Sequence, residues 1–337
     1  MSLKEGKKDM RNIRNLFILG LSALVLGSCG QTDNTSKFDT SKNITLYTRD
    51  TTSGTRDGFF TKIGIEDAKT DDSKLRKGVT QTSGNSDMMA KVANDTYGIG
   101  YASLAGVVED TTGKIKGLKY EGVEANEENV LNETYKLTRN FNYIIRNDYA
   151  ADDKKGLVVK AFVAYMFSKD GQRTMKEADG ILTISGKDWT EVAKDYESVL
   201  KDSTLNFEIK VGGSTSVQKM SQKLTSNFAA LLTSKNVKFT HNHGGSGDAY
   251  KYTQGADKDS TNKLDIAFLS RELKDTEKAA EGTSGKMCVD AIVPIVNSAN
   301  PYSETTAKDL VAMYSVDGKN DDKVDCGMYT KWSDVIK

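Results

Sequence analysis

Two short segments rich in glycine and hydroxyl side chains constrain this chain most, because each joins a predicted strand to a predicted helix. The first is Ser53-Gly54-Thr55, which follows an alternating strand pattern over residues 43–49. The second is Gly213-Ser214-Thr215-Ser216, between a strand at 209–211 and a helix at 217–232. Such a junction presents free backbone N–H groups and the positive end of the helix dipole. Both segments are therefore candidate anion-binding sites.

Neighbouring residues strengthen the anion hypothesis, although serine and threonine at such junctions also cap helices. Arg49 lies four residues before the first segment and offers a planar fork of donors that suits an oxyanion. Ser246 and Gly247 lie in a Gly-Gly-Ser-Gly loop, which is alternatively a plain surface loop. Ser270 and Arg271 follow a predicted buried strand, where open α/β sheets bind ligands. Arg271 is alternatively part of an ion pair with a nearby glutamate, Glu272 or Glu277.

The rest of the chain alternates strands and helices, which predicts the α/β class. Predicted strands include residues 98–104, 135–146, 264–269 and 291–296. An apolar stripe over residues 156–175 predicts a long helix. About 295 residues follow the N-terminal region, enough for two lobes or domains.

Taken in cyclic order, these segments resemble the phosphate-binding protein of bacterial Pst-type ABC importers. The blocks that carry the resemblance are, in family order, Gly213–Val217, Gly245–Gly247, Ser270–Leu273, Asp290–Asn297, Lys331–Val335, Thr48–Arg56, Gly98–Tyr101 and Phe162–Gln172. In that family the Gly-Ser-Thr-Ser-Val block normally comes first, whereas here it comes second. The chain thus resembles a circularly permuted member.

The resemblance implies an α/β, two-lobed periplasmic-binding-protein type II fold with the anion between the lobes. One lobe would be continuous, residues 140–292, and the other split, residues 43–139 plus 293–337. The implied phosphate-binding residues are Arg49, Ser53, Gly54, Thr55, Ser214, Thr215, Ser216, Ser246, Gly247, Ser270 and Arg271.

One position departs from the pattern of some family members, which place an aspartate where Ser270 stands. That aspartate accepts the proton of hydrogenphosphate, so its replacement leaves the source of phosphate-over-sulfate discrimination open. Asp50 and Asp57 are candidate replacements for the acceptor.

The N-terminus predicts a signal peptide over residues 1–29. Lys and Arg precede an apolar run at 16–26, which is too short for a spanning helix, and Leu-Gly-Ser-Cys ending at Cys29 resembles a lipobox. In a lipoprotein Cys29 would be acylated, for instance with palmitate, and would anchor the chain to the membrane. The alternative is an ordinary signal peptide with a chance cysteine. Residues 30–42 are polar and predict a flexible tether.

The amino-acid composition limits which ligands and cross-links are expected. Basic and acidic residues balance at 47 each, and no basic block indicates nucleic acid. Cys288 and Cys326 form an even pair on an exported chain; we predict a disulfide, with two free thiols as the alternative. His241 and His243 alternate as on a strand but lack a third ligand, so we expect no metal site and no cofactor.

These observations favour a binding protein and not an enzyme. No nucleophile–base pair is visible, and the histidines are expected to lie away from the two anion segments; a phosphatase would need a metal set or an activated nucleophile. We expect a monomeric, lipid-anchored protein on the extracytoplasmic face of the cell membrane. It would capture inorganic phosphate and deliver it to an ABC permease. The alternatives are another oxyanion as ligand, or a surface lipoprotein for adhesion or phosphate sensing.

Overall fold

The computed structural model describes residues 38–336, in which strands and helices alternate. The predicted signal peptide with Cys29, and residues 30–37 of the predicted tether, lie outside the described residues. The strands are β1 (Thr45–Arg49), β2 (Thr80–Thr82), β3 (Gly98–Ser103), β4 (Ile115–Gly117), β5 (Lys119–Tyr120), β6 (Thr138–Ile145), β7 (Phe207–Gly213), β8 (Val237–Asn242), β9 (Ile266–Leu269), β10 (Ser284–Asn297) and β11 (Glu304–Thr305).

The helices complete the alternation. They are α1 (Gly54–Ile63), α2 (Asn85–Ala93), α3 (Leu104–Val108), α4 (Glu127–Leu131), α5 (Lys154–Phe167), α6 (Lys169–Lys176), α7 (Trp189–Val192), α8 (Glu197–Leu200), α9 (Gln218–Leu231), α10 (Ser246–Thr253) and α11 (Ala307–Tyr314), with 3₁₀ turns at Glu66–Lys69, Asp72–Lys74, Ala193–Tyr196 and Trp332–Asp334. Over residues 38–336, no helix combines the length and the apolar character that crossing a bilayer requires.

The same strand order occurs twice in the main sheet, which runs β2-β1-β3-β10-β6-β9-β7-β8 with β4 paired to β10. In the first half, β1 lies between its parallel neighbours β2 and β3. In the second half, β7 lies between its parallel neighbours β8 and β9. An antiparallel strand closes each set, β10 beside β3 and β6 beside β9. The helices after β1 and β2 therefore have topological counterparts in the helices after β7 and β8.

Two apolar cores follow this division, and we call the parts around them lobe A and lobe B. The core of lobe A draws its buried side chains from residues 44–137 and 291–332, together with Ile181. The core of lobe B draws on residues 141–288, and a smaller cluster with Leu269 lies on the other face of its sheet.

The chain passes between the lobes through β6 and β10, which pair with each other at the crossing. There Arg139 of β6 faces Asp290 of β10, and the two buried side chains form an ion pair of 2.7 Å. Ser103 Oγ, at the end of β3, donates to the other carboxylate oxygen of Asp290 at 2.8 Å. Both connections between the lobes thus lie side by side.

The beginning and the end of the described chain lie together in lobe A. Asn43 pairs with Lys331, and the Ser333 N–H donates to the Thr40 carbonyl at 2.7 Å. The Phe38 ring packs edge-on against Trp332. These contacts make residues 38–42 part of the fold, so the predicted tether extends too far at its C-terminal end.

The predicted disulfide between Cys288 and Cys326 is wrong, because both thiols are free and buried. Cys288 belongs to the core of lobe B, with its Sγ 3.9 Å from the sulfur of Met220. Cys326 belongs to the core of lobe A. The even number of cysteines was misleading because the fold places them in different lobes.

Candidate functional site

The first anion segment lies where β1 ends and α1 begins. Asp50 accepts the Thr52 N–H at 2.9 Å, so the turn after Arg49 is fixed by its own side chains. Ser53 has extended backbone, and its Oγ accepts the N–H groups of Thr55 at 3.2 Å and Arg56 at 3.4 Å. Ser53 is therefore the N-cap of α1, and its own hydroxyl proton is left to donate.

The second segment lies at the corresponding place in lobe B, where β7 ends and α9 follows. Gly213 has φ +94°, and a Cβ there would collide with the carbonyl oxygen of Phe268, so only glycine fits. The next N–H, that of Ser214, donates to the same Phe268 carbonyl at 2.7 Å. The Ser214 Oγ then accepts the Ser216 N–H at 3.2 Å. The hydroxyls of Thr215 and Ser216 face lobe A, whereas that of Ser214 stays within lobe B.

Three buried serine hydroxyls of lobe B form one chain. Ser214 Oγ donates to Ser270 Oγ at 2.8 Å, and Ser246 Oγ lies 3.2 Å from Ser270 Oγ. The Ser270 N–H also donates to Ser246 Oγ at 2.9 Å. Ser246 opens α10, and the Gly247 N–H donates across the lobes to the Thr52 carbonyl at 3.1 Å. The structure thus brings Ser246, Gly247 and Ser270 together with the second segment.

The two segments contact each other directly. Thr55 Oγ1 and Ser216 Oγ are 3.0 Å apart, and Arg49 Nη2 donates to Thr215 Oγ1 at 3.2 Å. A Cβ at Gly54 would lie 2.5 Å from the Ser246 hydroxyl oxygen and 2.6 Å from that of Ser270. Only a residue without a side chain permits this approach of the α1 N-terminus to the serine chain. We call this joined set the cradle; it comprises Arg49 and residues 53–55 of lobe A, and residues 214–216, Ser246, Gly247 and Ser270 of lobe B.

Arg49 is the charged group of the cradle, and its positive charge is only weakly compensated by the groups around it. The side chain is 1% exposed, and its four hydrogen bonds to neutral oxygens are all long, 3.2–3.5 Å. The Asp50 carboxylate is 3.9 Å away, and Nε has no hydrogen-bond partner among the described residues. Burial lowers the pKa of the Arg49 guanidinium below its ordinary value, and Asp50 counteracts part of that shift. An anion held at this place would supply the missing partner.

Two other buried arginines are paired with a carboxylate at short distance, although Arg139 Nη1 also has no hydrogen-bond partner among the described residues. Arg139 has both Nε and Nη2 on Asp290, at 2.9 and 2.7 Å. Arg56 bonds Asp72 at 2.8 Å and donates to the carbonyls of Ala68 and Arg49 at 2.6–2.9 Å. Against these, Arg49 stands out as the buried cation whose geometry is left open toward a ligand.

Arg271 does not join the cradle as predicted. Its two terminal nitrogens bond the Glu277 carboxylate at 2.7 and 2.8 Å, and Nη1 also donates to the Glu272 carbonyl. The ion pair that was the alternative interpretation is the observed one. The Glu277 carboxylate neutralises Arg271 and leaves the charge of Arg49 in the cradle unchanged.

Asn85 is a cradle residue that the sequence did not reveal. Its Oδ1 accepts from Arg49 Nη1 at 3.4 Å, and its Nδ2 donates to Ser216 Oγ at 3.3 Å. The Ser83 carbonyl, two residues earlier, accepts from Arg49 Nη2 at 3.3 Å. A signal was present in Ser83-Gly84-Asn85, a further polar, glycine-containing junction, but the strand before it has only three residues.

The histidines lie closer to the cradle than expected. His243 Nδ1 is 3.0 Å from the carbonyl oxygen of Ser214, and its Nε2 is 3.2 Å from His241 Nδ1. Burial lowers the pKa of His243 to about 4, although the Ser214 carbonyl acts in the opposite direction. His243 thus contacts the backbone of the second segment, and His241 reaches it only through His243 while its other nitrogen is 3.0 Å from Thr225 Oγ1. Within residues 38–336 no three His, Cys, Asp or Glu side chains gather as metal ligands.

Comparison with known proteins gives one family. A family model described as a PBP superfamily domain matches residues 33–170 and 190–337. The chain is 25% identical to phosphate-binding protein PstS 2 of Streptococcus agalactiae over 338 residues, covering 97% of this chain and 100% of that protein. It is 27% identical to phosphate-binding protein PstS 2 of Streptococcus pneumoniae over 308 residues, covering 90% of this chain and 96% of that protein.

A solved structure agrees in fold. The chain matches the crystal structure of a phosphate-binding protein of a phosphate ABC transporter from S. pneumoniae with a TM-score of 0.58 and 23% identity, over 88% of this chain and all of that one. The predicted α/β, two-lobed periplasmic-binding-protein fold is thereby confirmed. The permuted order of its segments stays a prediction.

Proposed function

Because the chain belongs to the PBP superfamily, we propose that it is a phosphate-binding protein of the PstS type, which captures inorganic phosphate between lobes A and B for an ABC importer. The relatives of that name match nearly the whole chain, so each lobe has its counterpart in them. The family and fold are those of substrate-binding proteins, and we propose binding without catalysis.

The observation that carries this proposal is the buried, incompletely paired guanidinium of Arg49, faced by hydroxyls of both lobes. A cation in that position is costly unless an anion shares it. Phosphate offers oxygens in the geometry that the arginine fork matches. A neutral chain can thus bind a dianion through one cation and local dipoles.

The remaining contacts come from the N-termini of α1, α9 and α10, which meet at the cradle. We propose Arg49, Ser53, Gly54 and Thr55 as the phosphate contacts of lobe A. Those of lobe B are Ser214, Thr215, Ser216, Ser246, Gly247 and Ser270. Helix N-termini bind anions through free N–H groups and the helix dipole. Since the donors are split between the lobes, binding favours the closed arrangement.

Discrimination against sulfate falls to the serine chain in this proposal. A hydroxyl both donates and accepts, so the linked hydroxyls of Ser214, Ser270 and Ser246 have an acceptor available for the proton of hydrogenphosphate. Sulfate has no proton to give. Asp50 has one carboxylate oxygen 3.9 Å from Arg49 and the other bound by the Thr52 N–H of its own turn.

The place in the cell follows from the N-terminus. We propose that Cys29 is acylated after removal of the signal peptide and holds a monomer on the extracytoplasmic face of the membrane, where it delivers phosphate to its permease. We further propose lobe boundaries within β6 and β10, at 139/140 and at 292/293, the last two residues before the second boundary, Ala291 and Ile292, already contributing to the core of lobe A. We also propose a family order that has been circularly permuted. The adjacent ends of the described chain, Asn43 beside Lys331, support the permutation.

Isothermal titration with phosphate, arsenate and sulfate tests the function. We expect one phosphate per chain at low micromolar Kd or better, about 8 kcal/mol or more, similar binding of arsenate, and weaker binding of sulfate. Arg173→Met, on the exposed face of α6, should bind as the wild type does. Absence of heat with all three anions would favour an adhesion lipoprotein, and tighter sulfate binding would indicate another oxyanion as the ligand.

A further inference from the structure

The junction between β2 and α2 is the fourth strand-to-helix junction that reaches Arg49 or the cradle hydroxyls, after those that precede α1, α9 and α10. Asn85, the first residue of α2, contacts Arg49 within its own lobe and Ser216 across the cleft. Ser83, just before it, accepts from the other terminal nitrogen of Arg49 through its carbonyl. Two of the four hydrogen bonds of Arg49 therefore come from this one junction.

The repeated strand order gives Asn85 a defined counterpart. In lobe B the helix after β8 begins with Ser246, which belongs to the serine chain of the cradle. In lobe A the helix after β2 begins with Asn85. Because β2 flanks β1 as β8 flanks β7, the two helix starts occupy equivalent positions in the fold. Each lobe thus presents the first residue of one helix, the one after β2 or after β8, to the cradle.

The chemistry of the carboxamide fixes what Asn85 does there. Arginine only donates, so the amide oxygen must face Arg49 and the NH₂ group must face Ser216. The hydroxyls of the cradle, by contrast, rotate and can switch between donor and acceptor. The contact with Arg49 lies within lobe A, whereas the contact with Ser216 requires the lobes to be closed.

From these contacts we infer that Asn85 is a positioning residue of the phosphate site. It holds the Arg49 fork toward the anion and links that fork to lobe B on closure. This inference rests on the proposed function. Its loss should speed phosphate release more than it slows capture, since the interlobe bond exists only after closure.

Two substitutions separate this role from a structural one. Asn85→Ala removes both contacts, and release of radiolabelled phosphate into an unlabelled chase should be roughly 5–10-fold faster, with an association rate within about twofold of wild type. Asn85→Asp places a carboxylate against Arg49, where it would pair with the guanidinium and repel a dianion. Its affinity for phosphate should fall at least about thirtyfold.

In the aspartate variant the free energy of unfolding should not fall, although the affinity for phosphate does. An acidic residue in the first turn of a helix is favourable, so the free energy of unfolding of Asn85→Asp without phosphate should equal or exceed that of wild type. Asn94→Ala, at the other end of α2, is the matched control and should change neither rate nor affinity.

The outcomes are distinct. Retained stability with lost affinity in Asn85→Asp supports the inference. Wild-type affinity in that variant, or loss of affinity only in proportion to loss of stability in both variants, overturns it. If the wild-type protein itself binds no phosphate in the same titration, the proposed function fails and this inference falls with it.

Discussion

Replacing Arg49 by methionine should abolish tight phosphate binding without weakening the fold, whereas the same replacement at Arg139 should weaken the fold. Methionine keeps most of the length of the side chain and removes only the charge and the donors. Both arginines are buried, at 1% and 3% exposed, so the comparison is between two cations in similar surroundings. They differ in their partners.

The stability change follows from those partners. Arg49 would lose four long hydrogen bonds to neutral oxygens, each near the lower end of roughly 0.5–1.5 kcal/mol, and would relieve a desolvation penalty of several kcal/mol. The free energy of unfolding without phosphate should therefore not fall by more than about 1 kcal/mol. Arg139→Met leaves Asp290 buried and unpaired, which typically costs about 3–5 kcal/mol.

The substitution at Arg49, which changes stability little, should have the large effect on phosphate binding. Two charge-assisted bonds from Arg49 to phosphate, at about 1.5–3 kcal/mol each, amount to at least about 3 kcal/mol, or roughly a hundredfold in Kd. Urea unfolding in phosphate-free buffer and isothermal titration measure both quantities. Equal destabilisation by the two substitutions, or wild-type affinity in Arg49→Met, would refute the assignment of Arg49 to the ligand.

Four further predictions concern other parts of the chain. Cys29→Ser should release the protein into the medium, and continued membrane association of that variant would contradict lipidation. Both internal cysteine thiols should react with a thiol reagent in the unfolded, non-reduced protein, and a count below two would restore the disulfide. As the pH falls, the unfolded chain should take up a proton at His243 near pH 6.5 and the folded one only near pH 4, so stability should decrease over that range, and less so in His243→Gln. Joining Lys337 to Phe38 by a short linker and opening the exposed turn at Ser203 should give a protein that folds and binds phosphate, measured by titration; failure to fold would count against the permutation.

The sequence predicted the features of the site that are local. A strand end, a cap and a glycine at a junction leave a pattern within a few neighbouring residues, and the structure places Ser53 and Ser214 at such junctions. The predicted helix over 156–175 is broken into α5 and α6 at Ser168, whose extended backbone and capping hydroxyl end one helix and begin the next. The apolar stripe ends at Phe167, and of the predicted residues beyond the break only Met175 is apolar, so the second part of the prediction had little support from the pattern.

What depends on distance between remote segments was not predictable. The separation of Cys288 and Cys326 into different cores is set by packing that no spacing encodes. The ion pair of Arg271 with Glu277 is local, and the sequence offered it as an alternative without deciding for it. Asn85 was missed because its contact with Arg49 joins two junctions 36 positions apart along the chain.

The arrangement of β10 beside β3 has a consequence for the order in which the lobes fold. Lobe B is made from one continuous stretch of chain, so its strands can pair as soon as that stretch is available. In lobe A, β3 is fully buried, but its neighbour Val293, which pairs with Ala102, comes only after all of lobe B. Closing so long a loop lowers the chain entropy before the stabilising contacts have formed, and such non-local pairings therefore form slowly. Lobe B should therefore fold first. Its pairing of β6 with the first part of β10 would then place the second part of β10 beside β3 and complete lobe A.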